Sequence, residues 1–206
     1  MNPILPIQEI ESLFDKPVRV EHMGMDRFSE IVARDSDGIL KTAFAVWKRH
    51  VRQNPSINPN AVHEHIQKYG GTFFEGASAI LGQPIIKDIE FSRCKVDDPN
   101  LDNQFVAYLL AAHVFPNNLH LADLNLVNPY KPIPPKLRKY KLRKYKGLGL
   151  TATVLAKAEA FANSQQCDYL TLTAAADDLV PMFFKLGFVL EDEDVASLAM
   201  EKKVGK

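Results

Sequence analysis

Apolar positions alternate between two periods along this chain. Ile7, Ile10, Leu13 and Phe14 have helical spacing, whereas Val18 and Val20 alternate with Arg19 and Glu21 as in a short strand. Asp26 is placed to cap a helix whose inner face is Ile31 and Val32. Ile39, Leu40, Ala43, Phe44, Trp47 and Val51 fall on one helical stripe, broken by Asn54-Pro55 and Asn58-Pro59. A further helical stretch from Ala61 to Gln67 ends at Gly70-Gly71, and residues 72–82 fit helix and strand equally. Ile85 to Cys94, Phe105 to Phe115 and Leu119 to Val127 read as consecutive antiparallel strands, because the separators Asp97-Asp98-Pro99-Asn100 and Pro116-Asn117-Asn118 have turn chemistry. The middle one, Phe105 to Val114, also fits a buried helix.

From Leu119 onward the predicted order is strand, loop, helix, strand, helix, strand, strand. Leu150, Val154, Ala158, Phe161 and Ala162 share a helical face, and Tyr169 to Thr173 form a strand. Leu179, Met182, Phe183 and Leu186 repeat at helical spacing, with Asp177 or Asp178 as cap and Gly187 as stop. Phe188 to Leu190 and Ala196 to Met200 close the chain as a strand pair. These elements predict a mixed α/β (α+β) fold in one domain over residues 1–206. Residues 1–84 form an amino-terminal helical part, and residues 85–206 carry the sheet.

Charge changes this picture more than composition does. The 206 residues carry no net charge, and 46% apolar with 24% charged is ordinary for a globular protein. Yet Lys131 to Lys146 holds eight basic residues and no acidic one, so the remainder carries minus eight. Within it Lys136-Leu137-Arg138-Lys139-Tyr140 repeats at once as Lys141-Leu142-Arg143-Lys144-Tyr145. The segregation predicts an anion near this segment. No apolar run reaches the ~20 residues that cross a bilayer, no signal-peptide pattern opens the chain, and two cysteines make no disulfide framework. A cytoplasmic protein without a membrane partner is expected.

The chemistry-bearing stretch is Lys144-Tyr145-Lys146-Gly147-Leu148-Gly149-Leu150, directly before an amphipathic helix. Unpaired amides and the helix dipole at such a start, with glycines that admit close approach, suit a phosphate. The stretch is neither a P-loop nor a Rossmann fingerprint, since no Gly-Lys-Ser/Thr and no third glycine follow. Asp123 and Asn125 share one strand face, which makes Asp123 the first candidate base, ahead of His120 and His113. His63-Glu64-His65 lacks the spacing of a metal site, and no metal is expected. Cys167 reads as a buried hydrophobe.

Leu126-Val127-Asn128-Pro129, the Lys144 to Gly149 turn and Phe183-Phe184-Lys185-Leu186-Gly187-Phe188 arrive in the order found in the GNAT N-acetyltransferases, which the last 85–90 residues resemble. The resemblance implies a central, mostly antiparallel twisted sheet flanked by helices, here with extra amino-terminal helices. It implies an enzyme that moves an acetyl or other acyl group from acetyl-CoA, as cosubstrate, to the primary amine of a small molecule or peptide in a ternary complex. The pyrophosphate would lie on residues Lys144, Tyr145, Lys146, Gly147, Leu148, Gly149 and Leu150. Pantetheine would run beside Leu126 and Val127, with the Val127 amide as oxyanion donor. Phe183 stands where many relatives have a tyrosine acid, and Ala176 where they have an asparagine. Lys144 replaces their Gln or Arg, and residues 130–143 lengthen the loop. Relatives also place the acceptor near the loop holding Glu191-Asp192-Glu193-Asp194, which would draw a cationic acceptor. Two other readings stand beside this one: an acyl-CoA-binding sensor of weak catalysis, and a nucleic-acid module built on 131–146, which the neutral overall charge disfavours. The extra amino-terminal helices are available for a homodimer contact or to cover the acceptor pocket.

Overall fold

The computed structural model of the protein describes residues 3–139, 143–191 and 198–205. One twisted sheet runs in the order β1-β2-β3-β4-β6-β8-β7, with β5 attached to β4. Its strands are β1 (Val18–Met23), β2 (Ile86–Val96), β3 (Phe105–Val114), β4 (Asn118–Pro132), β5 (Tyr145–Gly147), β6 (Tyr169–Thr173), β7 (Val189–Leu190) and β8 (Ala199–Lys203). All pairings are antiparallel except β4 with β6. Phe105–Val114 is therefore a strand, and an interior one: β3 buries Val106, Ala107, Leu109, Leu110, Ala111 and Ala112 between helices on both faces. Because β1 pairs with β2, the amino-terminal part contributes to the same sheet.

One face of the sheet carries α1 (Ile7–Glu11), α6 (Thr151–Ser164) and α7 (Val180–Lys185). From α6, Val154, Leu155, Ala158 and Ala162 pack on Leu119, Leu170 and Met200. Burying a Val or Leu side chain contributes about 1.5–3 kcal/mol. The opposite face carries α2 (Phe28–Arg34), α3 (Ser36–Gln53), α4 (Ala61–Tyr69) and α5 (Phe73–Leu81). Residues 73–81 become helix because Thr72 accepts from the Glu75 amide while the Glu75 carboxylate accepts from the Thr72 amide, a complete capping box.

Two expected caps are corrected. Asp26 does not cap α2: residues 25–27 form a 3₁₀ turn, α2 follows from Phe28, and no side chain caps it. Likewise Asp177 and Asp178 lie in a 3₁₀ turn ahead of α7, whose cap position is Leu179. Besides Thr72 on α5, the side-chain cap on this face is Asp35, which accepts from the Gly38 amide at 3.0 Å and starts α3. α3 buries Ile39, Ala43, Val46 and Trp47 against the sheet. It leaves Leu40 and Phe44 of the expected stripe 50% and 55% exposed, because these two look across an open cleft.

Candidate active site

The cleft originates in β4. Its first four residues, Asn118 to Leu121, pair in parallel with Tyr169 to Leu172 of β6. Against β3, Leu110 faces Asp123 and Ala111 faces Leu121, so Ala122 is an extra, bulged residue. A bulge bends its strand, and from this point β4 and β6 part. The bulge also sets Ala122 and Asp123 on one side of the strand. The resulting cleft, of about 990 Å³, is floored by β4 and β6 and roofed by α3; Asp123, His120, Thr171 and Ala174 lie below, with Phe44 and Lys41 above.

Asp123 reaches this cleft, as its strand position predicts, and also a smaller polar trough lined by Arg34, Asp35, Arg93, Tyr108 and Asn125. It is an exposed residue, partly desolvated by the walls of the cleft and the trough. That desolvation raises its carboxyl above the ordinary range; the Leu124 amide partly offsets this, and the nearby Asp35 charge adds to it. In the trough the Tyr108 hydroxyl donates to Asp35, and burial together with that bond raises the phenol. Tyr108 is therefore held as a donor and is no acid for the cleft.

His120 is buried in the cleft floor, 7% exposed. Its Nδ1 lies 3.0 Å from Thr171 Oγ1, whose hydroxyl is 3.4 Å from the Leu119 carbonyl. If Thr171 donates to that carbonyl, its oxygen accepts from His120 Nδ1–H, which assigns the lone pair of a neutral ring to Nε2. Burial pushes its pKa down to about 4, Arg49 adds to the depression, and Glu191 opposes it. The ring stays uncharged at neutral pH. His113 bonds Asn117 at 2.7 Å within the β3–β4 turn and takes no part in the cleft.

Arg49 closes one end of the cleft. It lies 2.6 Å from both Glu191 and Glu201, and its guanidinium covers the Tyr169 ring at 4.8 Å. Arg52 also pairs with Glu191 at 2.5 Å. Glu191 is 8% exposed, so its charge is committed to two arginines rather than offered to an acceptor. This corrects the expected role of the acidic loop at that residue; Asp192, Glu193 and Asp194 lie outside the described residues. Arg49→Met leaves two carboxylates on one buried wall, with Arg52 still serving Glu191. The expected result is a loss of about 2–3 kcal/mol in urea unfolding. These side chains were not legible beforehand, since a contact such as Arg52 to Glu191 spans 139 positions.

The glycine turn sits beyond the parted strands. Residues 145–147 are a strand, not a loop, and pair with β4 at Val127 and Asn128. The Leu148 amide donates to the Leu126 carbonyl at 3.4 Å, so it is engaged by the protein. The Val127 amide, one residue further along an alternating strand, points away from β5 to the edge on which β3 pairs up to Leu126, which departs from its expected place as an oxyanion donor facing the gap between β4 and β6. Gly149 has φ +80°, and a β-carbon there would meet nothing within 4 Å, so its backbone is open. Leu150 precedes α6 with no side-chain cap, which leaves the first-turn amides from Thr151 without a capping side chain. The Arg143 guanidinium packs against Gly147, where a β-carbon would collide with it. Lys144 and Lys146 are exposed, and Tyr145 and Leu150 are half-buried. Residues 140–142 of the doubled basic segment lie outside the described residues. Phe183 is not among the cleft residues: it packs at 72° to Phe188, centroids 5.8 Å apart, in the α6-side core.

Neither cysteine is a nucleophile. Cys94 and Cys167 are buried, and burial pushes both thiols up to about 11. His63 bonds Gln67 at 2.8 Å and His65 packs on Tyr69 along the surface of α4. No helix among the described residues is long and apolar enough to cross a membrane.

No protein-family model matches the chain, and no curated protein matches it. Among solved structures, the PaiA N-acetyltransferase from Thermoplasma acidophilum, in complex with coenzyme A, is 16% identical, with 91% of this chain and 99% of that one covered and a TM-score of 0.36. Nourseothricin acetyltransferase is 15% identical over 57% of this chain, with a TM-score of 0.36. The match spans 66% of that protein's length.

Proposed function

We propose that the protein is an acyltransferase of the GNAT type that passes an acyl group from an acyl-CoA to a primary amine. The observation that carries this reading is the parting of β4 from β6 at the Ala122 bulge. Beyond the bulge the same strand holds the glycine turn, through Leu126 and Val127, so β4 carries both the cleft's Asp123 and the segment that leads into the uncapped helix start at Gly149–Thr151.

The residues present suit the coenzyme. Gly149, Leu150 and Thr151 offer backbone surface and amides at the positive end of α6 to a diphosphate. Tyr145, Gly147 and Leu148 supply the strand and turn that hold this segment on β4, and Arg143, Lys144 and Lys146 add positive charge beside it. Leu126 and Val127 border the pantetheine arm. Phe183 contributes apolar packing behind the site and has no proton to donate. Asp123 accepts the proton that the amine sheds as its nitrogen bonds the thioester carbon and the carbon–sulfur bond breaks. The cleft orders the two substrates, which is where most of the rate gain of such a transfer arises. The departing thiolate takes its proton from solvent.

Coenzyme A at a hundredfold excess over its Kd is expected to stabilise the fold by about 2.7 kcal/mol, visible as a rise in Tm. A bulky side chain at Gly149, such as Gly149→Val, must take φ +80° with a β-branched residue and crowds the diphosphate. The expected result is a Tm rise with coenzyme reduced to a small fraction of the wild-type rise. Free-thiol release on adding an amine then separates turnover from mere binding. No shift with coenzyme A, together with a shift on adding a short oligonucleotide, would reject the acyl-transfer reading.

A further inference from the structure

The roof of the cleft is more informative about the acceptor than its floor. Lys41, Phe44, Ala45 and Lys48 are spaced i, i+3, i+4 and i+7 on α3, so they form one stripe along the cleft. Phe44 is 55% exposed and lies 5.6 Å from the Phe73 ring, and Phe115 lines the same space. Four cations (Lys41, Lys48, Arg49, Arg52) and two anions (Asp123, Glu191) line the cleft, a net of +2 among the described residues. Glu191 is spent on Arg49 and Arg52. Asp123 is then the one lining carboxylate, among the described residues, left to face an acceptor, so a polycation such as a polyamine finds a single anchor.

Lys41 lies on the helix above Asp123, and each influences the ionisation of the other. Its present partner, Asp37 at 2.6 Å, is one turn earlier, and the two side chains are 70–74% exposed, so this pair is weak and exchangeable. An anion and a cation on facing walls of a cleft, beside an aromatic patch, are complementary to a small zwitterion with an apolar body.

Building on the acyl-transfer reading, we propose that the acceptor is an α-amino acid with an aromatic or branched apolar side chain, its amine at Asp123, its carboxylate at Lys41 and its side chain among Phe44, Phe73 and Phe115. The ammonium form yields a proton to become nucleophilic. The nitrogen bonds the acyl carbon, the carbon–sulfur bond breaks, and Asp123 takes the amide-forming proton on its way to solvent. N-acyl amino acid, free coenzyme thiol and one net proton result.

Calorimetric titrations of L-phenylalanine, phenethylamine and spermidine test this, with and without saturating coenzyme A, in wild type and in Lys41→Met. Phenethylamine is phenylalanine without the carboxylate. Phenylalanine is expected to bind on the order of tenfold tighter than phenethylamine, and spermidine weakest. Lys41→Met should erase most of the phenylalanine advantage and leave phenethylamine unchanged, a coupling that a purely structural lysine would not give. Equal binding of the two aromatic amines, an equal effect of Lys41→Met on both, tightest binding of spermidine, or no binding of any would overturn the proposal. Coenzyme affinity, read in the same titrations, reports separately on the acyl-transfer reading.

Discussion

Asp123→Asn is expected to lower kcat/KM by about 10²–10³-fold while leaving coenzyme affinity and the fold intact. The asparagine keeps the size and the Leu124 contact but accepts no proton. The direction of the pH dependence follows from the raised carboxyl of Asp123. The base form must be deprotonated, so wild-type kcat/KM falls as pH drops through a value above the ordinary aspartate range, and Asp123→Asn flattens that limb. Stability moves the opposite way. A carboxyl whose pKa is raised by folding favours the folded state when protonated, and that contribution is lost as pH rises through the folded value. At neutral pH the asparagine variant should therefore melt no lower than wild type, and slightly higher is expected. A thermal scan beside the pH–rate profile checks both. An unchanged acid limb with full activity would assign the proton to another group.

The largest effect on stability is expected at Glu90→Ala. Glu90 is 0% exposed. It accepts from the Ile4 amide at 2.7 Å, the Leu5 amide at 3.3 Å and the Ser92 hydroxyl at 2.7 Å, and Ser92 Oγ lies 2.8 Å from His22 Nδ1. One carboxylate thus fastens the amino-terminal segment, with buried Ile4 and Leu5, to the middle of β2. Alanine leaves the buried Ile4 and Leu5 amides without an acceptor, while the Ser92 hydroxyl can turn to His22 Nδ1. At ~1–3 kcal/mol for each unsatisfied group, partly relieved by relaxation and water entry, the expected loss is about 4 kcal/mol. That is a large fraction of the 5–15 kcal/mol typical of a domain. Glu90→Gln retains one acceptor oxygen and should lose roughly half as much. Urea midpoints compare the two, and equal losses would show that charge rather than hydrogen bonding is the source.

Much of the scaffold was legible because its signals are local. The periodicity of Leu150 to Ala162, the strand at Tyr169 to Thr173 and the stop at Gly187, whose φ is +86°, all follow from neighbouring residues. Thr72 and Glu75 held a capping box that settles residues 73–81 as helix, although periodicity alone left them ambiguous. Asp123 was legible as a cleft residue through strand alternation. The bulge at Ala122 that opens the cleft was not, because register arises from pairing with β3. Asp26 resembled a cap, but the 3₁₀ turn at Met25–Arg27 takes its place. Arg49 and Arg52 carried no signal for their roles beyond a cationic edge on α3, since their partners Glu201 and Glu191 lie about 140–150 positions away; Lys41 carried none either, since its local partner is Asp37 while the cleft it lines is built from distant strands. The expected lure at Glu191 failed for the same reason: its charge is answered from a distant helix.

Amide hydrogen exchange along the Gly147–Val154 segment, with and without coenzyme A, tests the central claim most directly. The account predicts that exchange slows at Gly149, Leu150 and Thr151 when coenzyme binds, and that Leu148, already bonded to Leu126, changes little. Coenzyme binding that leaves those three amides unaltered, or no binding at all, would contradict it.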